Sequence, residues 1–238
     1  MVHVYCFKWG TKYGPEYVNR LRNSVKKYYQ DPFVFTCVTD DATGIDDGIE
    51  IMNINNFVTH GNTNLFTAQK FELMGMVPDG VILDLDILIH NDLTWLFEYE
   101  TLDPKFIWTH WTPSWHVKNI PARTACFINS SFVKWDNDNA RFIFQHYIEN
   151  RERVENLYDS CDKYLFYEHH LPEGSFDYWD ASLFYNYNEP GEWQYKFNPD
   201  AIACLFNTSH LVKMNRRYYE LDNTPTEHTE IWESYDEY

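Results

Sequence analysis

Positive charge is scarce in this sequence: 19 Lys and Arg residues face 36 Asp and Glu, for a formal net charge of −17 over 238 residues. That balance argues against nonspecific binding to nucleic acid and against docking on an anionic membrane. An anionic substrate would need local compensation from a metal or from a few placed Lys and Arg side chains. Long apolar runs are missing too. No segment approaches the roughly 18 residues of a membrane span, and no basic stretch followed by an apolar one opens the chain. The expectation is a soluble, intracellular protein with no integral membrane segment. Pro/Gly/Ser-rich linkers, repeats and low-complexity segments are also absent, so the chain is expected to form one sizeable α/β domain. Cysteine is limited to Cys6, Cys37, Cys126, Cys161 and Cys204, an odd number, widely spaced and mostly among apolar or aromatic neighbours. This usage fits small buried residues in a reducing compartment, and neither a disulfide framework nor a zinc site.

What is present is a pair of acids in an apolar setting. Residues 81–89 read Val-Ile-Leu-Asp-Leu-Asp-Ile-Leu-Ile, a composition that predicts a strand buried on both faces. Residues i and i+2 of a strand point to one side, so a strand continuing through the pair would aim Asp84 and Asp86 at one place. Uncompensated, two such anions would cost on the order of several kcal/mol. A hard divalent cation, Mn²⁺ or Mg²⁺, would answer that charge, since it takes oxygen ligands and is often shared between a carboxylate or two and substrate phosphates. The alternative is a strand that ends near Asp84 and leaves two solvated or hydrogen-bonded carboxylates at a sheet edge.

Around this pair the pattern predicts a βαβ order. Residues 3–7 read as a first strand, 8–14 as a loop with two glycines and two lysines, and 15–29 as a helix opened by Pro15 with a stripe of Tyr17, Leu21, Ser24, Val25 and Tyr28. A second strand over 33–39 ends at Asp40-Asp41. A short third strand is expected at 50–54 and a helix carrying Lys70 at 67–76. Further on, 93–97 reads as a short helix or turn, 105–111 and 125–135 as strands, the latter with a polar interruption at 129–131, 139–150 as an amphipathic helix, and 201–206 as the last strand. The acidic stretch after Arg217 is expected to be loosely ordered, dividing the chain into a domain over 1–217 and a tail over 218–238. Open α/β sheets bind ligands at the carboxyl ends of their strands, where these acids fall.

This succession, with a strand ending in Thr-Asp, a basic helix, the Asp-x-Asp strand and a later Asn-Ser strand, resembles the GT-A glycosyltransferases over residues 2–215. Within them it is similar to small glycosyltransferase-like proteins of viruses, phages and bacteria. The resemblance implies a Rossmann-like α/β domain, GT-A-like, with a central, mostly parallel mixed sheet flanked by helices. It also implies a cytoplasmic enzyme, in the host cytoplasm if the protein is viral. Such an enzyme moves a sugar from a UDP- or GDP-sugar donor to a hydroxyl of a glycan or glycoprotein. By this resemblance Asp84 and Asp86 help bind Mn²⁺ or Mg²⁺, which holds the donor diphosphate and stabilises the leaving nucleoside diphosphate. Phe7, Lys8, Trp9 and Tyr13 fall near the nucleotide, Asp40 faces its base or ribose, and Lys70 approaches the donor. For Lys8 and Lys70 the competing reading is a solvated surface lysine.

Many relatives close the metal site with a late histidine, for which Ala203-Cys-Leu-Phe-Asn-Thr-Ser-His210 supplies His210. The usual His-Phe-x-Gly pattern is absent, which leaves Asn207 or water as alternatives. Asn129 and Ser130 match the strand bordering the transferred sugar, unless they satisfy only their own strand end. Asp162 resembles an acid that follows this strand, with Asp180 its rival, and either could accept the proton of an acceptor hydroxyl in an inverting mechanism. Aromatics make up 18% of the chain, more than one core requires. Of Trp111, Trp115, Tyr178 and Trp179, all in predicted loops, one or two are expected to stack on ligand. Two other classes compete. A haloacid-dehalogenase-like Mg²⁺ phosphatase also uses Asp-x-Asp, but on its first strand and followed by a Gly-Thr-like turn. A non-catalytic carbohydrate-binding protein would explain the aromatics and leave the paired acids unexplained.

Overall fold

The computed structural model describes residues 1–63, 65, 67–109, 126–187, 196–206, 221 and 226–238. The chain opens with β1 (Val2–Lys8), α1 (Pro15–Tyr28), β2 (Phe33–Thr39) and β3 (Glu50–Asn53). It continues through α2 (Gln69–Met76), β4 (Gly80–Leu83), β5 (Ile87–Ile89), α3 (Thr94–Glu98), β6 (Lys105–Trp108) and β7 (Ile128–Trp135). Then come α4 (Arg141–Glu149), α5 (Arg151–Leu157), α6 (Cys161–Tyr164), β8 (Asp177–Tyr178), β9 (Phe184–Asn186), β10 (Ala203–Leu205) and α7 (Thr226–Glu233). Pro15 starts α1 where its missing N–H is no loss, and Glu16 in the first turn with Lys26 and Lys27 in the last complements the helix dipole.

Among the described residues, seven strands form one sheet in the order β3-β2-β1-β4-β7-β6-β8, with β7 alone running against the rest. Strand periodicity divides the core between its faces. Val4 and Cys6 of β1 join the cluster that includes Tyr17 and Leu21 of α1, while Tyr5 and Phe7 join the one that includes Phe71 of α2 and Ile143 of α4. At Gly80 the absence of a side chain is required, because a Cβ there would come within 2.8 Å of the rings of Trp135 and Tyr5. A second, three-stranded sheet has the order β5-β10-β9. The five cysteines are free, and Cys6, Cys37, Cys161 and Cys204 are buried. Among the described residues no helix is long and apolar enough to cross a membrane.

Two expectations fail. The run over 81–89 is two strands: β4 belongs to the large sheet, β5 to the small one, and the chain turns between them. The end of the chain is not loosely ordered over its described part. Trp232 and Tyr235, 4% and 1% exposed, are core residues packed with α1, and their apolar burial outweighs the solubility of the acids around them.

Helix α6 continues into a π-helical segment, Leu165–His170. In it Glu168 accepts two hydrogen bonds from Arg153 (2.9 and 2.7 Å) and one from the Tyr158 hydroxyl. Arg153, then Tyr158, hold its carboxyl from the ordinary 4.5 down to about 2 against the opposing effect of burial. A depressed carboxyl contributes stability above its unfolded pKa and loses it as pH falls through the folded one. Glu168→Gln is therefore expected to melt a few degrees lower at neutral pH, about 2–4 °C for each kcal/mol lost. It should also lack part of the wild-type decline between pH 4.5 and 2, which thermal melts across that range would register.

Candidate active site

Strands β1, β2 and β4 are parallel, so their carboxyl ends share one rim of the large sheet, joined there by the amino end of antiparallel β7. The ladder's last bond at this rim runs from the Asp84 N–H to the Ser131 carbonyl, 2.9 Å. The chain then turns through buried Leu85 and leaves for the small sheet, where the Asp86 carbonyl accepts the Phe206 N–H at 3.1 Å. Both acids thus sit in the crossing between two sheets.

The Asp84 carboxylate meets the Lys70 ammonium at 2.6 Å, and that ammonium also donates to the Ser130 carbonyl at 2.8 Å and lies 3.4 Å from its hydroxyl. The Lys70 side chain is 5% exposed, which removes the surface-lysine reading for this residue. Burial alone would lower its pKa, but Asp84 reverses the sign and the net shift is upward. Asp86 is held differently: the Tyr13 hydroxyl donates to it at 3.1 Å. Burial first and the Asp84 charge second push the Asp86 carboxyl up, while Lys12 and Tyr13 pull the other way. Burial and the Asp86 charge in turn raise the Tyr13 phenol. The pair therefore has one buried ammonium bonded to Asp84, while Asp86 is bonded by a neutral phenol and feels Lys12 at longer range.

Asp162 reaches the same neighbourhood from α6. Burial pushes its carboxyl up, Ser130 and Lys70 draw it back, and Asp84 adds to the rise. Its Oδ1 is buried and has no hydrogen-bond partner among the described residues. The other proposed acid, Asp180, is exposed, and its carboxylate caps a turn of 3₁₀ helix through the Ser182 N–H (2.8 Å) and hydroxyl (2.6 Å). Asn129 turns its Oδ1 onto the Ser131 N–H at 2.9 Å, the local reading of that side chain, while Ser130 faces the cluster.

On the first-strand loop, Lys8 is buried and donates to the Asp41 carbonyl at 3.2 Å, so it too is not a solvated lysine. Asp40 accepts the Gly10 N–H at 3.1 Å and ties the ends of β1 and β2 together. Phe7 is a core ring, edge-on to Phe57 and to half-buried Trp9. Tyr178 lies in β8, and Trp179 is buried, so neither stands in an open loop. Asn207, His210, Trp111 and Trp115 fall outside the described residues. Lys12 escaped sequence reasoning as a charge acting on Asp86; its signal was its place beside Tyr13 in the two-lysine loop.

The donor set suits a hard cation. Asp84 and Asp86 supply oxygens only, with Lys70 the one ammonium among the described residues bonded to the pair, and Mg²⁺-type ions commonly bind through one or two carboxylates with phosphates and water completing the shell. Among the described residues no group of three His, Cys, Asp or Glu side chains could hold a metal unaided.

No family model matches the chain, and no curated protein does so by sequence. Solved structures match it by shape. An active-site mutant of LgtC superposes with a TM-score of 0.68 at 11% identity, covering 99% of this chain and 95% of that one. LgtC in complex with donor and acceptor sugar analogues gives 0.61 at 13%, covering 98% and 96%. The chain has the GT-A fold. GlyE of Streptococcus pneumoniae shares it at 0.63 and 13% identity, and the chain covers 60% of GlyE's length. Within this GT-A domain Asp84 is near enough to Asp86 and to Asp162 to raise both carboxyls, at the rim where the parallel strands β1, β2 and β4 end.

Proposed function

We propose that this protein is a metal-dependent glycosyltransferase that moves a sugar from a nucleotide-diphosphate-sugar donor, a UDP- or GDP-sugar, to a hydroxyl of a glycan or glycoprotein. The observation that carries the reading is the Asp84–Asp86 pair, half-compensated by Lys70, at the ligand-binding rim of a GT-A sheet. Asp84 and Asp86 would hold Mn²⁺ or Mg²⁺, which when bound neutralises the diphosphate and stabilises the leaving nucleoside diphosphate. Lys70 locks Asp84 and the Ser130 backbone in one geometry, and Tyr13 orients Asp86. Lys8, Trp9 and Asp40 flank the nucleotide end, Ser130 borders the sugar, and Asp162 accepts the proton of the acceptor hydroxyl. LgtC, which shares the fold, takes donor and acceptor sugar analogues. A phosphatase of the haloacid-dehalogenase kind is disfavoured, because here Asp-x-Asp follows the fourth strand and leads into a fifth.

The test is a panel of nucleotide sugars in thermal melts with and without Mn²⁺. A cognate donor should raise Tm only when the metal is present, since a ligand at about 100 times its Kd adds about 2.7 kcal/mol. Incubation with that donor should then release nucleoside diphosphate. Release of inorganic phosphate from monoesters, with no response to any nucleotide sugar, would sink the proposal.

A further inference from the structure

The C-terminal segment touches the Asp86 region from two directions. Trp232 of α7 packs against Tyr17 of α1 at 4.8 Å between ring centroids, and Tyr17 packs against Tyr13 at the same spacing. Tyr13 is the residue whose hydroxyl is bonded to Asp86. Three residues after Trp232, the Tyr235 hydroxyl donates to the carbonyl of Ile89 in β5, the strand that starts directly after Asp86. One contact line therefore reaches the hydrogen-bond donor of Asp86 and the other its backbone.

The segment is itself fixed to α1. Arg20 stacks on Trp232, 3.9 Å from the ring centroid, and makes a two-pronged bond to Asp236 at 2.6 and 2.5 Å. The buried Asn23 side chain donates to the Tyr235 carbonyl at 2.8 Å. These are aromatic and charge-assisted contacts in fixed geometry, and α1 begins at the end of the loop that carries Tyr13.

We propose that the C-terminal segment is a brace for the candidate metal site, with Trp232 and Tyr235 as positioning residues that set where the Asp86 carboxylate stands. The inference rests on the metal reading of Asp84 and Asp86 given above. Residues behind a ligand fix its orientation, and losing one commonly costs 10–100-fold in metal affinity.

The experiment compares wild type with Trp232→Ala, Trp232→Phe and Tyr235→Phe in the full chain, by hydrogen exchange and by titration with Mn²⁺ alone. Trp232→Ala should lose exchange protection over residues 9–17 and 84–90 while β2 and β7 keep theirs, and should bind Mn²⁺ about tenfold more weakly. Trp232→Phe should recover most of both. If the alanine variant does not fold, Tyr235→Phe decides: it removes one hydroxyl, keeps the ring, and should loosen residues 84–90. Unchanged exchange in both segments, in variants that fold, would overturn the brace. Loosened segments in a protein whose wild type binds no Mn²⁺ would leave the brace standing and refute the metal reading.

Discussion

Asp84→Ala is expected to cost the fold about 3 kcal/mol, the low end of what a buried ion pair loses when one partner is deleted, whereas Asp86→Asn costs nothing or stabilises. The two acids differ by one residue of spacing and by what they face. Removing the Asp84 carboxylate strands the Lys70 ammonium, 5% exposed, with the Ser130 carbonyl and hydroxyl in hydrogen-bond reach and no carboxylate among the described residues bonded to it. Removing the Asp86 charge instead relieves a repulsion, because that carboxyl is already pushed up by burial and by Asp84, and an amide oxygen still accepts the Tyr13 hydroxyl.

The pH dependence has a definite sign. A carboxyl whose folded pKa is raised takes up protons on folding between its unfolded and folded values, so its contribution to stability falls as pH rises through that window. Metal-free wild type should therefore gain from mild acidification through the Asp86 window, and Asp86→Asn should lose that part of the gain. Added Mn²⁺ should raise the melting temperature of wild type and of neither variant. Denaturant melts at two pH values, with and without Mn²⁺, measure all of this. Equal destabilisation by the two substitutions would show that Lys70 does not tell the two acids apart.

What the sequence made legible was local. The strand over 33–39 and the helix opened by Pro15 stand where periodicity and capping put them, because both signals lie within a dozen neighbouring residues. The break between β4 and β5 was hidden, since an apolar run reads the same whether it stays in one sheet or crosses to another. The crossing depends on β10, more than a hundred residues downstream, offering a second ladder to Ile87–Ile89. For Lys70 the sequence leaves contact with a donor and a solvated surface lysine as alternatives, because the Asp84 that holds it inside is supplied by a different element. In the tail, acids masked an i, i+3 pair of rings, Trp232 and Tyr235, that was readable as one helical face. At the site, the residue types were legible and the long-range pairings were not: Asn129 follows its local alternative, a bond within its own strand end, but nothing local said that Tyr13 would bond Asp86 or that Ser130 would meet Lys70.

Asp162→Asn is expected to lower kcat by about 10²–10⁴, the usual contribution of a positioned acid or base, while donor affinity changes little. Asp162 lies beside the Asp84–Lys70 pair: Ser130 and Lys70 draw its carboxyl down, and the Asp84 charge adds to its rise. Burial moves its carboxyl up towards neutrality, the direction that suits a base working near neutral pH. A buried oxygen without a hydrogen-bond partner among the described residues is a cost that folding alone does not explain, and a reacting hydroxyl would supply the missing donor. A purely structural Asp162 predicts something else. Its asparagine would then change melting temperature and leave the pH–rate profile in place, whereas loss of a base removes the acidic limb of kcat/KM. Stability should move opposite to activity, since the amide no longer sets a buried charge near Asp84. An Asp162→Asn protein with wild-type kcat and an unchanged acidic limb would return the role of base to Asp180 or to a residue outside the cluster.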